Sequence, residues 1–344
     1  VAACDVDKLK LERSSKGIVD KHYADEKDGS YKGCSTYHDF RDLLARPDID
    51  AVVISTPDHW HTAISIAACR VGKDIYCEKP LTQTIAEARA LVNAVRKYNR
   101  VFQTGSMQRS SREFRFACEL VQNGYIGDVK HVTVGVGGPP EDKPLPPEPV
   151  PDYLDWDMWV GPAMWRPYNN DLAPHISFDG FPNWRYHSYY GGGGMTDWGA
   201  HHFGGATFAI DVRELEPEEV IFHNENGQKY ATCRYPNGKL LHHNYPGRGN
   251  LDVEFASGQG PSKPVPGYSG TGGIYGDFID CVKTRKKPFR DIELAVHTAT
   301  VCHLFLIAYE LERSLKWDTA KQQFVGDDEA NRLVDVARRE PWVI

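Results

Sequence analysis

Residues 51–61 read Ala51-Val52-Val53-Ile54-Ser55-Thr56-Pro57-Asp58-His59-Trp60-His61. Their short apolar start, closing on Ser55, has the pattern of a parallel strand covered on both faces. Beyond it Trp60, Ala63, Ile64, Ala67 and Val71 recur at helical spacing, and Gly72 stops the helix. Moving outward, Asp74 to Cys77 reads as the next strand. Thr84 and Glu87 form a capping box, and Ile85, Ala88, Leu91, Val92 and Val95 continue an apolar face towards a strand at Val101 to Thr104. On the other side, Val1-Ala2-Ala3-Cys4 reads as the tail of a strand that closes on Asp5. Strands separated by helices of this length predict crossover units and an α/β fold with a doubly wound parallel sheet over residues 1–107. The first strand and its glycine-rich phosphate loop are expected upstream of Val1.

The pattern changes after that. Ser111 to Asn123 reads as a helix ending near Gly124, and Asp128 to Gly135 alternates like a strand in an open sheet. Pro139 to Pro151 holds seven prolines, which predicts an extended, semi-rigid loop. Val220 to Phe222, Tyr230 to Tyr235 and Leu240 to Asn244 read as antiparallel strands. The Gly-, Pro- and Ser-rich run Pro246 to Gly276 predicts mobility, and Leu294 to Leu311 a long helix. Residues 108–344 are therefore expected to form an α+β domain on an open, largely antiparallel sheet.

A net charge of -7 argues against a nucleic-acid partner, because a phosphate-binding surface needs excess Lys and Arg. No continuous apolar run approaches the ~20 residues that span a bilayer, so no membrane segment is expected. None of the eight cysteines forms a C-x-x-C pair, and those within apolar patterns read as buried free thiols. A cytoplasmic compartment fits them best. An exported form stays open, because a leader could precede Val1.

Carboxyl ends of parallel strands are where such a sheet reads a dinucleotide. Asp5 sits at one of them, where an acid can bind ribose hydroxyls and repel a 2′-phosphate. NAD is therefore expected rather than NADP; capping the following helix is the alternative role. Ser55, Thr56 and Pro57 occupy the second such end, with His61 one turn on, and Glu78 and Lys79 the third. Hydride removal from a carbinol carbon also requires a base at the hydroxyl. Asp197 and His201 are four apart, which predicts one helical face with the carboxylate orienting the imidazole. Lys79 as base would need its pKa lowered by about three, worth about 4 kcal/mol; charged, it can stabilise an alkoxide. His201 as base, Lys79 as oxygen-binding cation and Asp197 as orienter is the assignment made here, and exchange of the first two roles stays open. Asp197, His201 and His202 offer three metal ligands, but no further acid or cysteine completes a shell, and no metal is expected. Trp165, Arg166, Trp184, Arg185, Tyr189 and His202 supply flat and polar surfaces suited to a polyhydroxylated ring. Gly191 to Gly194 is expected to allow close backbone approach to a ligand, or to hinge.

Ser55-Thr56-Pro57, Glu78-Lys79-Pro80, the run from Gly191 through Asp197-Trp198-Gly199-Ala200-His201, and Tyr275-Gly276-Asp277-Phe278 together resemble the Gfo/Idh/MocA oxidoreductases. The resemblance implies a Rossmann domain followed by a domain with an open antiparallel sheet, often used for dimer or tetramer contacts. It also implies Lys79, Asp197 and His201 as the catalytic set and places Gln108 near the nicotinamide. The expected activity is NAD-dependent hydride transfer at a hydroxyl or keto carbon of a sugar, glycoside or cyclitol. An NAD-dependent glycosidase using transient oxidation and a non-catalytic NAD- or sugar-binding regulator are the alternatives.

Overall fold

The computed structural model describes residues 1–24, 31–246, 267–268, 270–342 and 344. The apolar runs of the first hundred residues form five short parallel strands in two groups. Strands β1 (Ala2–Cys4) and β2 (Ser35–Tyr37) pair with each other, and β3 (Ala51–Ile54), β4 (Asp74–Cys77) and β5 (Phe102–Thr104) pair in that order. Every residue of β4 is buried, as its central place requires. Helices Asp58–Arg70 and Ile85–Lys97 pack together, and Ile64, Ala68, Leu91 and Val95 join Ile75 and Phe102 in one core. Thr84 supplies half of the expected capping box, its hydroxyl accepting from the Glu87 N–H at 3.1 Å. The Glu87 carboxylate instead accepts from the Gln83 N–H at 2.8 Å.

The expectation of a strand buried on both faces fails at β3. Val53 is 66% exposed and only Ile54 is buried. The cause is topological, since β3 does not pair with β1. The two strands instead line a cleft of about 980 Å³, reached by Ala2 to Cys4 from one side and Ala51 to Ile54 from the other.

The later residues build a six-stranded mixed sheet in the order β11-β10-β7-β8-β9-β6. Its members are β6 (His131–Val134), β7 (Glu219–Glu225), β8 (Gln228–Arg234), β9 (Leu240–His243), β10 (Leu315–Asp318) and β11 (Gln323–Phe324). All neighbours are antiparallel except β6 and β9. The helix expected from Ser111 runs Arg112–Gln122, with the Ser111 hydroxyl capping it, and no helix or strand forms in the proline-rich 139–151 loop. Within the predicted mobile run, 247–266 and 269 lie outside the described residues, and Gly273–Thr284 is helical.

The helix expected at Leu294 starts two residues earlier, as Ile292–Leu311. By length and composition alone it could cross a membrane, which reading only continuous apolar runs missed, because its few polar residues are neutral or widely spaced. Most of it is buried. Ile292, Ala295 and Val296 belong to the core of the parallel-sheet domain, whereas Val301, Cys302, Leu304, Phe305, Ile307 and Ala308 pack under the large sheet with Val220, Ala231 and Leu241.

Candidate active site

Strand β4 ends at Cys77 and the chain turns through Glu78-Lys79-Pro80, so the Lys79 side chain leaves the carboxyl edge of the parallel sheet. It reaches the second domain. Lys79 Nζ donates to the Asp197 carboxylate at 2.6 Å and to the Asp197 backbone carbonyl at 3.0 Å. Asp197 ends a short helix, Gly193–Asp197, and His201 lies in the next, Gly199–Ala209. The break at Trp198 corrects the expectation of one continuous helical face. Asp197 and His201 share no hydrogen bond, because the carboxylate is held by Lys79, and His201 Nδ1 is sealed from solvent without a partner. Burial, then the Lys79 ammonium, push His201 down to about 4, so its ring is neutral at physiological pH. Trp198 links the group, its ring centroid 6.0 Å from Lys79 Nζ and 6.2 Å from the His201 ring.

Lys79 and Asp197 stand at one end of the large cleft, whose wall continues through Asp5, Ser55, Thr56, Pro57 and Glu78. Asp5 Oδ1 accepts from the Asp7 N–H at 2.9 Å, and burial raises its carboxyl. Asp7, not Asp5, caps the next helix, accepting from the N–H groups of Leu9 and Lys10. The capping alternative for Asp5 therefore falls. Thr56 contributes a hydroxyl that finds no partner within the protein. A cleft of this size, with an acid at one strand end and an unspent hydroxyl at the next, fits a dinucleotide.

A model of the oxidoreductase family with an NAD-binding Rossmann fold, GFO_IDH_MocA, matches residues 7–106. The model of that family's C-terminal alpha/beta domain matches 136–243 and 265–344. The chain belongs to the Gfo/Idh/MocA oxidoreductase family. Similar curated proteins include levoglucosan dehydrogenase of Pseudarthrobacter phenanthrenivorans, 38% identical over 91 residues, or 26% of this chain and 23% of that protein. Another is myo-inositol 2-dehydrogenase of Thermotoga maritima, 31% identical over 140 residues, 41% of this chain and 40% of that one. The matched part thus spans less than half of these relatives. Among solved structures, levoglucosan dehydrogenase in complex with NADH and levoglucosan gives a TM-score of 0.59 at 19% identity, covering 92% of this chain and 89% of that one. Aldose-aldose oxidoreductase from Caulobacter crescentus gives 0.57 at 19% identity, covering 92% and 91%. These two likenesses show a shared fold.

Within this Gfo/Idh/MocA chain the remaining expected residues divide. Trp184 and Arg185 line the cleft, with the guanidinium 4.3 Å from the Trp184 ring centroid. Trp165 and Tyr189 are exposed and do not line it. Arg166 approaches His187 Nδ1 at 3.4 Å, and His202 stands edge-on to Phe114, so both face neighbours away from the cleft lining. Gln108 lies on the short 3-10 helix Met107–Ser110, its Oε1 buried without a partner and away from the cleft lining. His61 is buried beneath the cleft wall, with Nδ1 2.6 Å from the Pro80 carbonyl and Nε2 2.9 Å from that of Thr56. It braces the two loops rather than lining the cleft.

Asp58 is an acid of the cleft wall whose place its sequence position alone does not give. Pro57 takes the N-cap position without a side-chain bond, and Asp58 is a buried first-turn residue in the cleft wall. Burial, then Asp197, push its carboxyl well above the ordinary range. No spacing rule separates such an acid from a helix cap.

The glycine run serves the protein's own backbone. A Cβ on Gly194 would stand 2.5 Å from Gly137 Cα, and one on Gly193 2.7 Å from the Pro139 carbonyl carbon. Gly194→Ala is expected to lower folding stability by about 3 kcal/mol, read by urea denaturation, because backbone cannot give way as a side chain can. An unchanged midpoint would contradict this packing.

Proposed function

We propose that this chain is an NAD-dependent dehydrogenase acting on a hydroxyl carbon of a sugar, glycoside or cyclitol. The observation that carries the reading is the Lys79–Asp197 pair, contributed by the two domains and set where the cleft meets the carboxyl ends of β3 and β4. Asp5, Ser55, Thr56, Pro57 and Glu78 would hold the dinucleotide, with Asp5 favouring NAD. When bound, the cofactor supplies the hydride acceptor. Asp197 fixes the Lys79 ammonium through its carboxylate and carbonyl, so the cation meets a developing alkoxide without reorganising. His201, neutral and beside Trp198 but outside the cleft lining, is the base in this reading and would have to turn towards the cleft to take the hydroxyl proton. Its weak basicity in the resting site rises as negative charge develops beside it. Trp184 and Arg185 offer a flat face and a donor fork to a ring of hydroxyls. Assembly as a homodimer or homotetramer through the large sheet, in the cytoplasm where eight free cysteines persist, completes the proposal.

Incubation with NAD and a panel of sugars, glycosides and cyclitols should give net NADH absorbance with at least one of them. Binding of NAD without NADH from any of the panel would overturn the reading. Asp5→Asn is expected to narrow the preference for NAD over NADP by roughly tenfold in kcat/KM, since it removes the charge opposed to a 2′-phosphate. An unchanged ratio would place the adenosine elsewhere.

A further inference from the structure

Three lysine and arginine side chains line the large cleft among the described residues, and two of them are spent. Lys10 Nζ pairs with Asp7 at 3.5 Å, and Lys79 Nζ with Asp197 at 2.6 Å. The third, Arg185, is half-buried and makes no ion pair or side-chain hydrogen bond with any described residue. A cation drawn partly out of water without a counter-charge is a costly arrangement unless a ligand completes it.

The local chain fixes where this cation stands. Arg185 lies on the 3-10 helix Asn183–Tyr186, shortly before the glycine run. A Cβ on Gly191 would meet the Arg185 carbonyl oxygen at 2.7 Å, so the run packs directly on the Arg185 backbone. The guanidinium carbon is 4.3 Å from the Trp184 ring centroid and 5.3 Å from that of Phe181, and both rings line the cleft. Aromatic faces hold a guanidinium while leaving its in-plane N–H fork unspent. The charges of Asp197, Arg185 and Lys79 all act on Asp58, so the unspent cation shares one end of the cleft with the Lys79–Asp197 pair. Asp58 does not neutralise it. That acid stands beyond ion-pair distance, and burial favours its uncharged form.

We propose that the substrate is a sugar acid, whose carboxylate docks on the Arg185 fork while its reacting hydroxyl meets Lys79. A planar guanidinium matches the two oxygens of a carboxylate, whereas neutral hydroxyls supply no counter-charge. The proposal rests on the dehydrogenase reading above and narrows its substrate class. The carboxylate is a spectator in the redox step: the carbinol carbon gives up a hydride to NAD and its hydroxyl a proton, leaving a keto acid and NADH. The cofactor's pyrophosphate is the other source of paired anionic oxygens, and the experiment separates the two.

The test compares glucuronate, galacturonate and gluconate with glucose and galactose, using the whole chain and NAD. At least one acid should exceed its neutral parent by about tenfold or more in kcat/KM. Arg185→Gln should lower kcat/KM for that acid about a hundredfold, chiefly through KM, with neutral sugars within about threefold and NAD affinity within about twofold. Arg185→Lys keeps the charge but not the fork and should fall between. Neutral sugars oxidised as well as every acid overturn the proposal, as does a glutamine variant that weakens acids and neutral sugars alike. Loss of NAD affinity in that variant, with the acid preference unchanged, assigns Arg185 to the pyrophosphate and also overturns it. If no sugar yields NADH, the dehydrogenase reading falls. Calorimetry then decides the carboxylate site: glucuronate binding tighter than glucose in wild type but not in Arg185→Gln upholds it, and equal binding ends it.

Discussion

Lys79→Met is expected to lower turnover by about three decades or more while leaving NAD binding within a few-fold of wild type. Methionine keeps the length and bulk of the side chain but removes the charge that faces the developing alkoxide, a term worth several kcal/mol in a water-poor site. The substitution also strips the Asp197 carboxylate of its 2.6 Å partner. A carboxylate left unpaired at the cleft repels the alkoxide, so the loss exceeds that of a deleted hydrogen bond. Most of the dinucleotide site is spared, because Asp5, Ser55 and Thr56 lie on other strand ends and only Glu78 adjoins the substitution. NADH production in a single-turnover assay, with NAD affinity from fluorescence quenching, separates the two effects. Wild-type turnover in this variant would remove Lys79 from the chemistry.

Lowering the pH from 7 to 5 is expected to remove much of the folding stability. His59, His61 and His303 are fully buried, and burial takes each from the usual 6.5 to about 4. Their unfolded forms bind protons below 6.5 and their folded forms do not, so their contribution is complete above that value and is lost progressively down to pH 4. At pH 5 each ring has given up about 2 kcal/mol, about 6 kcal/mol together, against the 5–15 kcal/mol that holds an ordinary domain folded. Asp58 and Glu87 act with the opposite sign. Burial raises both carboxyls, so the folded state takes up their protons first and regains stability as pH falls. A cleaner measure comes from His59→Asn, whose amide can still reach the Trp159 carbonyl, 2.9 Å from the native ring. Its stability deficit against wild type in urea should shrink by about 2 kcal/mol between pH 7 and pH 5. A deficit independent of pH would mean that His59 titrates normally.

Much of the fold could be read from the chain because its signals are local. The strand expected at Asp74 to Cys77 is a buried central strand, and Thr84 and Ser111 cap the helices they announce. Burial at β3 was misread because it depends on which strand lies alongside, and local periodicity carries no information on that. The meeting of Lys79 with Asp197 was legible as residue types, but their hydrogen bond was assigned to the wrong pair. Spacing of four suggested a helical contact between Asp197 and His201, and a break at Trp198 together with a cation 118 residues away won instead. His61 was invisible as a support, since its ring meets the carbonyls of Thr56 and Pro80, on two separate loops.

The long helix Ile292–Leu311 has a bearing on how the two halves behave as matter. One end fills the first hydrophobic interior and the other end fills the second, while Trp342 returns to lean on Phe40 and Trp60. Cutting the chain near residue 107 would therefore leave the nucleotide half without Ile292, Ala295, Val296 and Trp342, an apolar wound rather than a free-standing module. Chemistry is divided between two halves, but cohesion is not. The same shared beam opposes any wide swing of one half against the other.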